Sequence, residues 1–192
     1  IHIDLPIEMN IRRLARALGK EVSEVTVSIL NRERHQDIID RVRKLGARIK
    51  LFEAGDIAQA IATCIENSGC DLMVGIGGAP EGVLPAAAIK ALGGVFQGRL
   101  VPADEEEFKR CEAMGLEDPL KVLEMSDLVK GEEVLFAATG VTDGELLNGV
   151  RHIGNDKVKT YSVVMRAETG TVRNIEATHR ISKKPEYTKI KR

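Results

Sequence analysis

Short apolar runs alternate with amphipathic segments through the first part of the chain, and this alternation predicts strands and helices in turn. Apolar positions at helical spacing cover three segments: residues 6–18, 36–45 and 56–67. Strands are predicted over residues 25–30, 48–53 and 71–76, and the nearly unbroken apolar run of the last is typical of a strand buried on both faces. The strands end 23 residues apart, and this regular strand–helix–strand period predicts a parallel sheet with right-handed crossovers.

The second part of the chain adds further elements and then changes character. Helices are predicted over residues 83–92 and 104–114, and strands over residues 96–101 and 133–138. Alternating apolar and polar positions over 159–167 and 171–181, around Glu168-Thr-Gly170, predict a β-hairpin. The basic tail, residues 183–192, is expected to be extended. The predicted fold class is therefore α/β, with a largely parallel sheet, flanking helices and a C-terminal β-hairpin extension.

The carboxyl ends of parallel strands share one edge of the sheet, and ligands bind in the crevice at that edge. Four polar or glycine-rich segments follow predicted strands and are expected to meet there: residues 32–35, 54–56, 77–82 and 139–144. The predicted edge therefore combines cationic side chains, carboxylates and flexible backbone. This combination suits a small anionic ligand.

The glycine-rich segment that follows residue 76 holds one carboxylate, Glu81. Gly77, Gly78 and Gly82 allow tight turns and close approach of the backbone to a ligand. The spacing matches neither a phosphate-binding Gly-x-x-x-x-Gly-Lys-Ser/Thr loop nor Gly-x-Gly-x-x-Gly. Glu81 either caps the following helix or holds a cation. A divalent ion needs more ligands; Asp143 is one candidate, although a turn explains it equally well, and residues 105–107 are expected to be a solvated acidic face.

Two arginines and two further polar residues at the same edge each have more than one plausible role. Arg32 and Arg34 carry guanidinium groups that suit phosphate oxygens, with a solvated surface ion pair as the alternative. Asp56 begins a helix, so it caps that helix, grips an anion or sugar hydroxyl, or does both. His35 is either a general base or metal ligand, or a helix cap or surface residue.

Composition narrows the function classes. Lys and Arg number 28 against 29 Asp and Glu, a balance that argues against a nucleic-acid-binding protein. The longest apolar runs are too short for a bilayer span, and no secretory signal is visible, so no membrane partner is expected. Three cysteines without Cys-x-x-Cys spacing fit a reducing cytoplasm. Because the chain opens on Ile1 without Met, we expect a piece of a longer protein.

Several separate motifs, in order along the chain, resemble one known family. They are Ile76-Gly-Gly-Ala-Pro-Glu-Gly82, Ala91-Leu-Gly-Gly with Gln97-Gly-Arg-Leu100, Ala138-Thr-Gly-Val-Thr-Asp-Gly144, and Val164-Met-Arg166 with Gly170-Thr-Val-Arg173. Across essentially all 192 residues the chain resembles the C-terminal half of class II fructose-1,6-bisphosphatase, the GlpX type. In some organisms this family also takes sedoheptulose 1,7-bisphosphate.

The resemblance implies a phosphatase of the lithium-sensitive, inositol-monophosphatase-like fold that depends on Mn²⁺ or Mg²⁺ and hydrolyses the 1-phosphate of fructose 1,6-bisphosphate. It implies a metal ligand at Glu81, and substrate contacts at Arg32, Glu33, Arg34, Ala54, Gly55, Asp56 and Gly78. Where relatives often carry Lys in the basic loop, this chain has Arg32.

The same resemblance implies a substrate-binding domain over residues 1–150, with the hairpin extension and basic tail over residues 151–192. The family's other metal ligands lie in an N-terminal half around a Trp-Asp-Pro-Ile-Asp-Gly-Thr-like motif, and this chain has no Trp. We therefore expect an inactive half-enzyme from a cytoplasmic homo-oligomer, a dimer or tetramer. The alternative is a non-catalytic sugar-phosphate-binding or assembly domain.

Overall fold

The computed structural model describes residues 1–185, which form helices and two separate sheets. The helices are α1 (Ile7–Leu18), α2 (Gln36–Leu45), α3 (Asp56–Ala62), α4 (Ala79–Ala91), α5 (Glu105–Ala113) and α6 (Met125–Leu128). The strands are β1 (Thr26–Leu30), β2 (Arg48–Phe52), β3 (Leu72–Val74), β4 (Leu135–Thr139), β5 (Arg151–Ile153), β6 (Lys157–Arg166) and β7 (Thr171–Arg180). Short 3₁₀ turns cover Val22–Glu24, Glu33–His35 and Ile181–Lys183.

The first sheet is parallel, as the regular spacing of strand ends predicts. Its strand order is β2-β1-β3, and β1 pairs in parallel with both neighbours. Helices α1 and α2 cover this sheet because each presents an apolar stripe, with Ile11 and Val42 fully buried against Val27 and Ile29 of β1. Gly19 and Gly46 end the two helices in the left-handed conformation, which glycine adopts without steric cost.

The second sheet is antiparallel, and this corrects the expectation of a single, largely parallel sheet. Strand β4, predicted at 133–138, pairs with β6 instead of extending the parallel sheet. One face of the antiparallel sheet packs on α4, where Phe136, Val163 and Met165 are buried together with Ala88 of the helix. Small alanine side chains let α4 lie close to these larger residues, and α4 also packs on α3, so it connects α3 with the second sheet.

The predicted C-terminal hairpin is confirmed. Strands β6 and β7 pair in register over ten residues each, and Gly170 takes the positive φ that the connecting turn requires. Its amide donates to the carbonyl of Ala167. β6 also pairs with β4 and β5, so the hairpin is continuous with the second sheet. The predicted basic tail from residue 186 onward lies outside the described residues.

Three predicted boundaries or elements are wrong. Residues 96–101 form no strand; only one bridge, between Gly98 and Leu123, is present there. Helix α4 begins at Ala79, four residues before the predicted start, because a proline in the first turn needs no intrahelical N–H partner. Helix α3 is predicted to continue to residue 67 but ends at Ala62. There the Thr63 hydroxyl donates a hydrogen bond to the Ala60 carbonyl at 2.7 Å.

Among residues 1–185, no helix combines the length and apolar character needed to cross a bilayer.

Candidate anion-binding site

A cleft of about 290 Å³ lies at the carboxyl ends of β1 and β2 and beside the first turn of α4. Its lining residues are Leu30, Arg32, Arg34, Glu53, Ala54, Gly55, Asp56 and Glu81. Three chain segments, each following a strand of the parallel sheet, therefore meet as the topology requires. The structure brings together six of the predicted site residues; their roles as ligands stay predictions.

Arg32 is held by the end of the neighbouring strand. Its Nη1 donates to a carboxylate oxygen of Glu53 at 3.2 Å and its Nη2 to the Glu53 backbone carbonyl at 2.7 Å. Asn31 donates to the other carboxylate oxygen of Glu53 at 2.6 Å. These contacts, that from Asn31 first, hold the pKa of Glu53 below its ordinary value. A full negative charge therefore stands beside one of the two arginines of the cleft.

Arg34 is held by the glycine loop, defined here as residues 75–78. Its Nε and Nη2 donate to the carbonyl oxygen of Ile76 at 3.0 and 2.6 Å. Among residues 1–185, Nη1 of Arg34 donates no such hydrogen bond, so Arg34 keeps donors for a ligand while its position is fixed. A guanidinium anchored on a neutral carbonyl retains its full positive charge, which favours anion binding.

Asp56 and Glu81 approach each other around Gly77. A β-carbon on Gly77 would lie 2.7 Å from Oε2 of Glu81 and 3.5 Å from Oδ2 of Asp56. Glu81 Oε2 also accepts a hydrogen bond from the Gly78 amide at 2.7 Å, which orients the carboxylate at the first turn of α4. Within residues 1–185, neither carboxylate forms an ion pair.

Some predicted residues lie outside the cleft lining. Glu33 is exposed on the 3₁₀ turn beside the arginines, and Gly78 contacts the site through the hydrogen bond that its backbone N–H donates to the Glu81 carboxylate. Asp143 accepts hydrogen bonds from the Gly149 amide and from Arg151, so it closes its own loop. The acidic run at 105–107 lies on the exposed face of α5, as predicted, with ion pairs to Lys109 and Arg110.

Sequence reasoning missed Glu53 and predicted the position of His35 at a helix cap but not its burial. Glu53 ends a parallel strand and precedes Ala54-Gly55-Asp56, so its position at the ligand edge was a usable signal. His35 occupies the N-cap position of α2, one of the predicted alternatives, although its side chain makes no capping hydrogen bond. It is fully buried and not a surface residue, and its ring forms hydrogen bonds with Leu30 and Ile76 instead of lining the cleft. Nothing in the sequence distinguishes a histidine of this kind from an exposed one.

The carboxylates fit part of a metal site. Asp56 and Glu81 supply hard oxygen donors, the type that Mg²⁺ and Mn²⁺ prefer. Within the described part of the chain, no three His, Cys, Asp or Glu side chains come together as metal ligands. The residues present therefore fit one side of a divalent-cation site.

An α/β fold with arginines and carboxylates at the carboxyl edge of a parallel sheet is typical of proteins that bind small anionic ligands. Comparison with known proteins identifies the family. The model of the bacterial, glpX-encoded fructose-1,6-bisphosphatases matches residues 1–179, and the chain belongs to this family.

Curated relatives agree with that assignment. The chain is 42% identical over 191 residues to the D-fructose 1,6-bisphosphatase class 2/sedoheptulose 1,7-bisphosphatase of Synechococcus sp. strain JA-2-3B'a(2-13), with 93% of this chain and 55% of the relative covered. It is 40% identical over 192 residues to the fructose-1,6-bisphosphatase class 2 of Haemophilus influenzae, with 93% of this chain and 57% of that protein covered. The chain thus spans little more than half the length of these relatives.

Proposed function

We propose that this chain forms the substrate-binding side of a phosphatase that hydrolyses the 1-phosphate of fructose 1,6-bisphosphate, releasing fructose 6-phosphate and phosphate. The observation that carries the proposal is the cleft itself, which sets Arg32 and Arg34 beside Asp56 and Glu81. A bisphosphorylated sugar needs both features: cations for the phosphate groups and acceptors for the hydroxyls or for a counter-cation. The relatives' names support the substrate class, including sedoheptulose 1,7-bisphosphate as a second substrate.

The arginines are proposed to bind the phosphate that does not react. Nη1 of Arg34 has no hydrogen-bond partner within the described part of the chain, and Arg32 lies about half exposed in the same cleft, so both guanidinium groups are available at one edge. Glu33, Ala54, Gly55 and Gly78 are proposed as further substrate contacts through short side chains or backbone. Asp56 is proposed to orient the sugar by accepting hydrogen bonds from its hydroxyls.

Glu81 is proposed as one ligand of Mn²⁺ or Mg²⁺. Its carboxylate is oriented by the Gly78 amide and carries no competing ion pair within the described residues, so one oxygen is available to a cation. A divalent ion in such a site lowers the pKa of water and neutralises charge on phosphoryl oxygens. We propose that the remaining ligands come from sequence outside these 192 residues, since the chain spans 55–57% of its relatives.

We also propose the fold, oligomeric state and cellular location of the complete protein. We propose an inositol-monophosphatase-like fold for the complete protein, with residues 1–150 as the substrate-binding domain and residues 151–192 as an extension. The complete protein is proposed to be a cytoplasmic homo-oligomer, a dimer or tetramer, acting in gluconeogenesis. Free Cys64, Cys70 and Cys111 are consistent with a reducing compartment.

The proposal is tested by measuring ligand binding and phosphate release separately on the same chain. Calorimetry with fructose 1,6-bisphosphate, and electron paramagnetic resonance with Mn²⁺, are run on the wild type, Arg34→Ala, Glu81→Gln and the surface control Glu106→Gln. We expect Arg34→Ala to weaken bisphosphate binding by tenfold or more, because a charge-assisted contact is lost. Glu81→Gln should weaken Mn²⁺ binding by at least about tenfold, with Glu106→Gln unchanged in both assays.

Phosphate release then decides between the proposed half-enzyme and its alternatives. Bisphosphate binding without phosphate release agrees with a substrate-binding half, and equally with the non-catalytic binding domain. Adding the missing part of a relative as a separate chain distinguishes these two, because only a half-enzyme gains activity. Metal-dependent release by this chain alone would show a complete site here and contradict our placement of the other ligands. Absence of bisphosphate binding in the wild type would overturn the proposal.

A further inference from the structure

His35 is the most deeply buried titratable group beside the cleft, and its side chain connects the ends of two strands. The ring follows β1 on the 3₁₀ turn Glu33–His35 and has no exposed surface. Its Nδ1 lies 2.8 Å from the carbonyl oxygen of Leu30, the last residue of β1. Its Nε2 lies 2.8 Å from the amide nitrogen of Ile76, just beyond β3.

These two partners define the chemical state of the ring. The Leu30 carbonyl only accepts a hydrogen bond, so Nδ1 must carry a proton. The Ile76 amide only donates, so Nε2 must present its lone pair. Both contacts are satisfied by the neutral imidazole protonated on Nδ1, and a cationic ring would set two N–H groups against each other. The buried ring is therefore assigned one tautomer by its hydrogen-bond partners alone.

The connection lies where the regular ladder stops. Strands β1 and β3 pair as far as Ile29 and Val74, and beyond that point the ring takes over the link between the two chains. Ring atoms lie 3.7 Å from the position of a β-carbon on Gly75, so the ring also packs on the backbone there. The residue before His35 acts on the same loop, since Arg34 binds the Ile76 carbonyl. Consecutive side chains thus hold both the N–H and the C=O of Ile76.

We propose that His35 is a positioning residue: its neutral ring fixes the glycine loop against β1, so that Arg34 and Glu81 keep their mutual arrangement in the cleft. The loop runs directly from Ile76 through Gly77 and Gly78 to the first turn of α4, which carries Glu81. Two glycines give this connection little stiffness of its own. The hydrogen bonds to Ile76 supply the fixed point that the loop lacks.

The inference rests on the proposed function only for the identity of the ligand, and its test has readouts that need no ligand. Long-range ¹⁵N correlation spectra of the full chain should show a His35 ring protonated on Nδ1 and unprotonated on Nε2 at neutral pH. Amide hydrogen exchange of Ile76 should be slow in the same sample. A ring protonated on Nε2 or on both nitrogens would overturn the proposal.

A matched pair of variants separates positioning from general stability. In His35→Gln the amide oxygen takes roughly the place of Nε2, and in His35→Asn the amide nitrogen takes roughly the place of Nδ1. We expect His35→Asn to accelerate Ile76 exchange about tenfold or more and to weaken fructose 1,6-bisphosphate binding at least threefold. His35→Gln should stay closer to the wild type in both measurements.

These measurements test the role of His35 even if the proposed function is wrong. Equal Ile76 exchange in the wild type and in a folded His35→Asn variant would overturn the positioning role. If neither variant folds, the wild-type ring spectrum alone decides. If the wild type binds neither bisphosphate nor inorganic phosphate, the proposed function fails, while the spectrum and the exchange measurement still test the link between His35 and Ile76.

Discussion

Glu53 binds Arg32 twice, through its side-chain carboxylate and through its backbone carbonyl oxygen. The carboxylate is 72% exposed and Arg32 is 44% exposed, so the pair lies open to any ligand that enters the cleft. A phosphate group that approaches Arg32 must compete with this carboxylate for the guanidinium, and the two negative charges repel. Glu53 is therefore expected to limit affinity and to keep the arginine in place when no ligand is bound.

The substitution Glu53→Gln tests this competition. Gln keeps an amide oxygen that accepts from Arg32 but removes the negative charge beside the phosphate. We expect binding of fructose 1,6-bisphosphate, or of inorganic phosphate as the simpler probe, to become about threefold to tenfold tighter. The gain should shrink near 1 M salt, because screening reduces interactions between exposed charges. Calorimetry at low and high salt measures both effects.

The matched control is Glu112→Gln on α5, which removes one exposed carboxylate far along the chain from the cleft segments. Its phosphate affinity should equal that of the wild type. Unchanged or weaker binding by Glu53→Gln, with the same protein still folded, would show that Glu53 supports the arginine more than it competes with the ligand.

Gly77→Ala tests whether the space at Gly77 sets the position of Glu81. The new methyl group would lie 2.7 Å from Glu81 Oε2, the end of a flexible side chain, so the carboxylate moves while the backbone stays. We expect Mn²⁺ affinity to fall by about tenfold or more, with little change in thermal stability. Electron paramagnetic resonance and a melting curve on one preparation give the two readouts.

Gly82→Ala is the control for that substitution, since nothing lies within 4 Å of its added β-carbon and the residue is within α4. Replacing a helical glycine by alanine should stabilise the protein by about 0.5–1 kcal/mol and leave Mn²⁺ binding unchanged. Equal metal affinity in Gly77→Ala and Gly82→Ala would contradict the assignment of Glu81 as a ligand.

The parallel sheet could be predicted because its signals are local. Each strand is a short apolar run, each crossover helix carries its own stripe, and the even spacing of strand ends implies a common edge. The meeting of Arg34, Asp56 and Glu81 follows from that edge alone. Sequence spacing contains no equivalent signal for β4, because β5 lies between it and its partner β6 and antiparallel pairing has no fixed connection length.

Local chemistry within the cleft was harder to predict than its location. The contact of Arg32 with Glu53 depends on the parallel register of β1 and β2, which places Leu30 opposite Phe52. The burial of His35 depends on a turn that folds the ring back under the glycine loop. No periodic pattern of apolar residues predicts such a turn. Residues 96–101 have strand-like composition, yet Gly98 pairs with Leu123 only as a single bridge, since no continuous partner strand is present there.

Gly149→Ala is expected to destabilise the loop between β4 and β5. An added β-carbon would lie 2.6–2.8 Å from backbone atoms of Thr142 and Asp143, which have no freedom to rotate away. The loop is closed by a hydrogen bond from the Gly149 amide to Asp143, so a shift of the backbone also breaks that contact. We expect a loss of about 1–3 kcal/mol in the free energy of unfolding, measured by urea denaturation.

The control lies in the same loop. At Gly144 an added β-carbon meets only the Leu147 carbonyl at 3.8 Å, an ordinary contact. Gly144→Ala should therefore change the free energy of unfolding by less than about 0.5 kcal/mol. If both alanine variants unfold at the same urea concentration, steric closure at Gly149 is not what holds this loop.

The ion pair between Glu8 and Arg41 links α1 to α2 and should make stability depend on pH. Arg41 Nε and Nη2 each donate to a carboxylate oxygen of Glu8 at 2.8 Å, a two-point contact. Chiefly through this hydrogen bonding, the pKa of Glu8 is lowered from 4.5 to about 2. A carboxyl group with a depressed folded-state pKa contributes stability above its unfolded pKa and loses it as pH falls through the folded pKa.

Glu8→Gln measures that contribution. Both side chains are about one-third exposed, so solvent screening limits the pair and we expect a loss of about 0.5–1 kcal/mol at pH 7. The difference from the wild type should be constant above about pH 5 and diminish between pH 4.5 and 2. Glu106→Gln, which removes an exposed pair on α5, should show almost no difference at any pH. A Glu8→Gln difference that persists undiminished toward pH 2 would mean that lost packing, and not the ion pair, accounts for it.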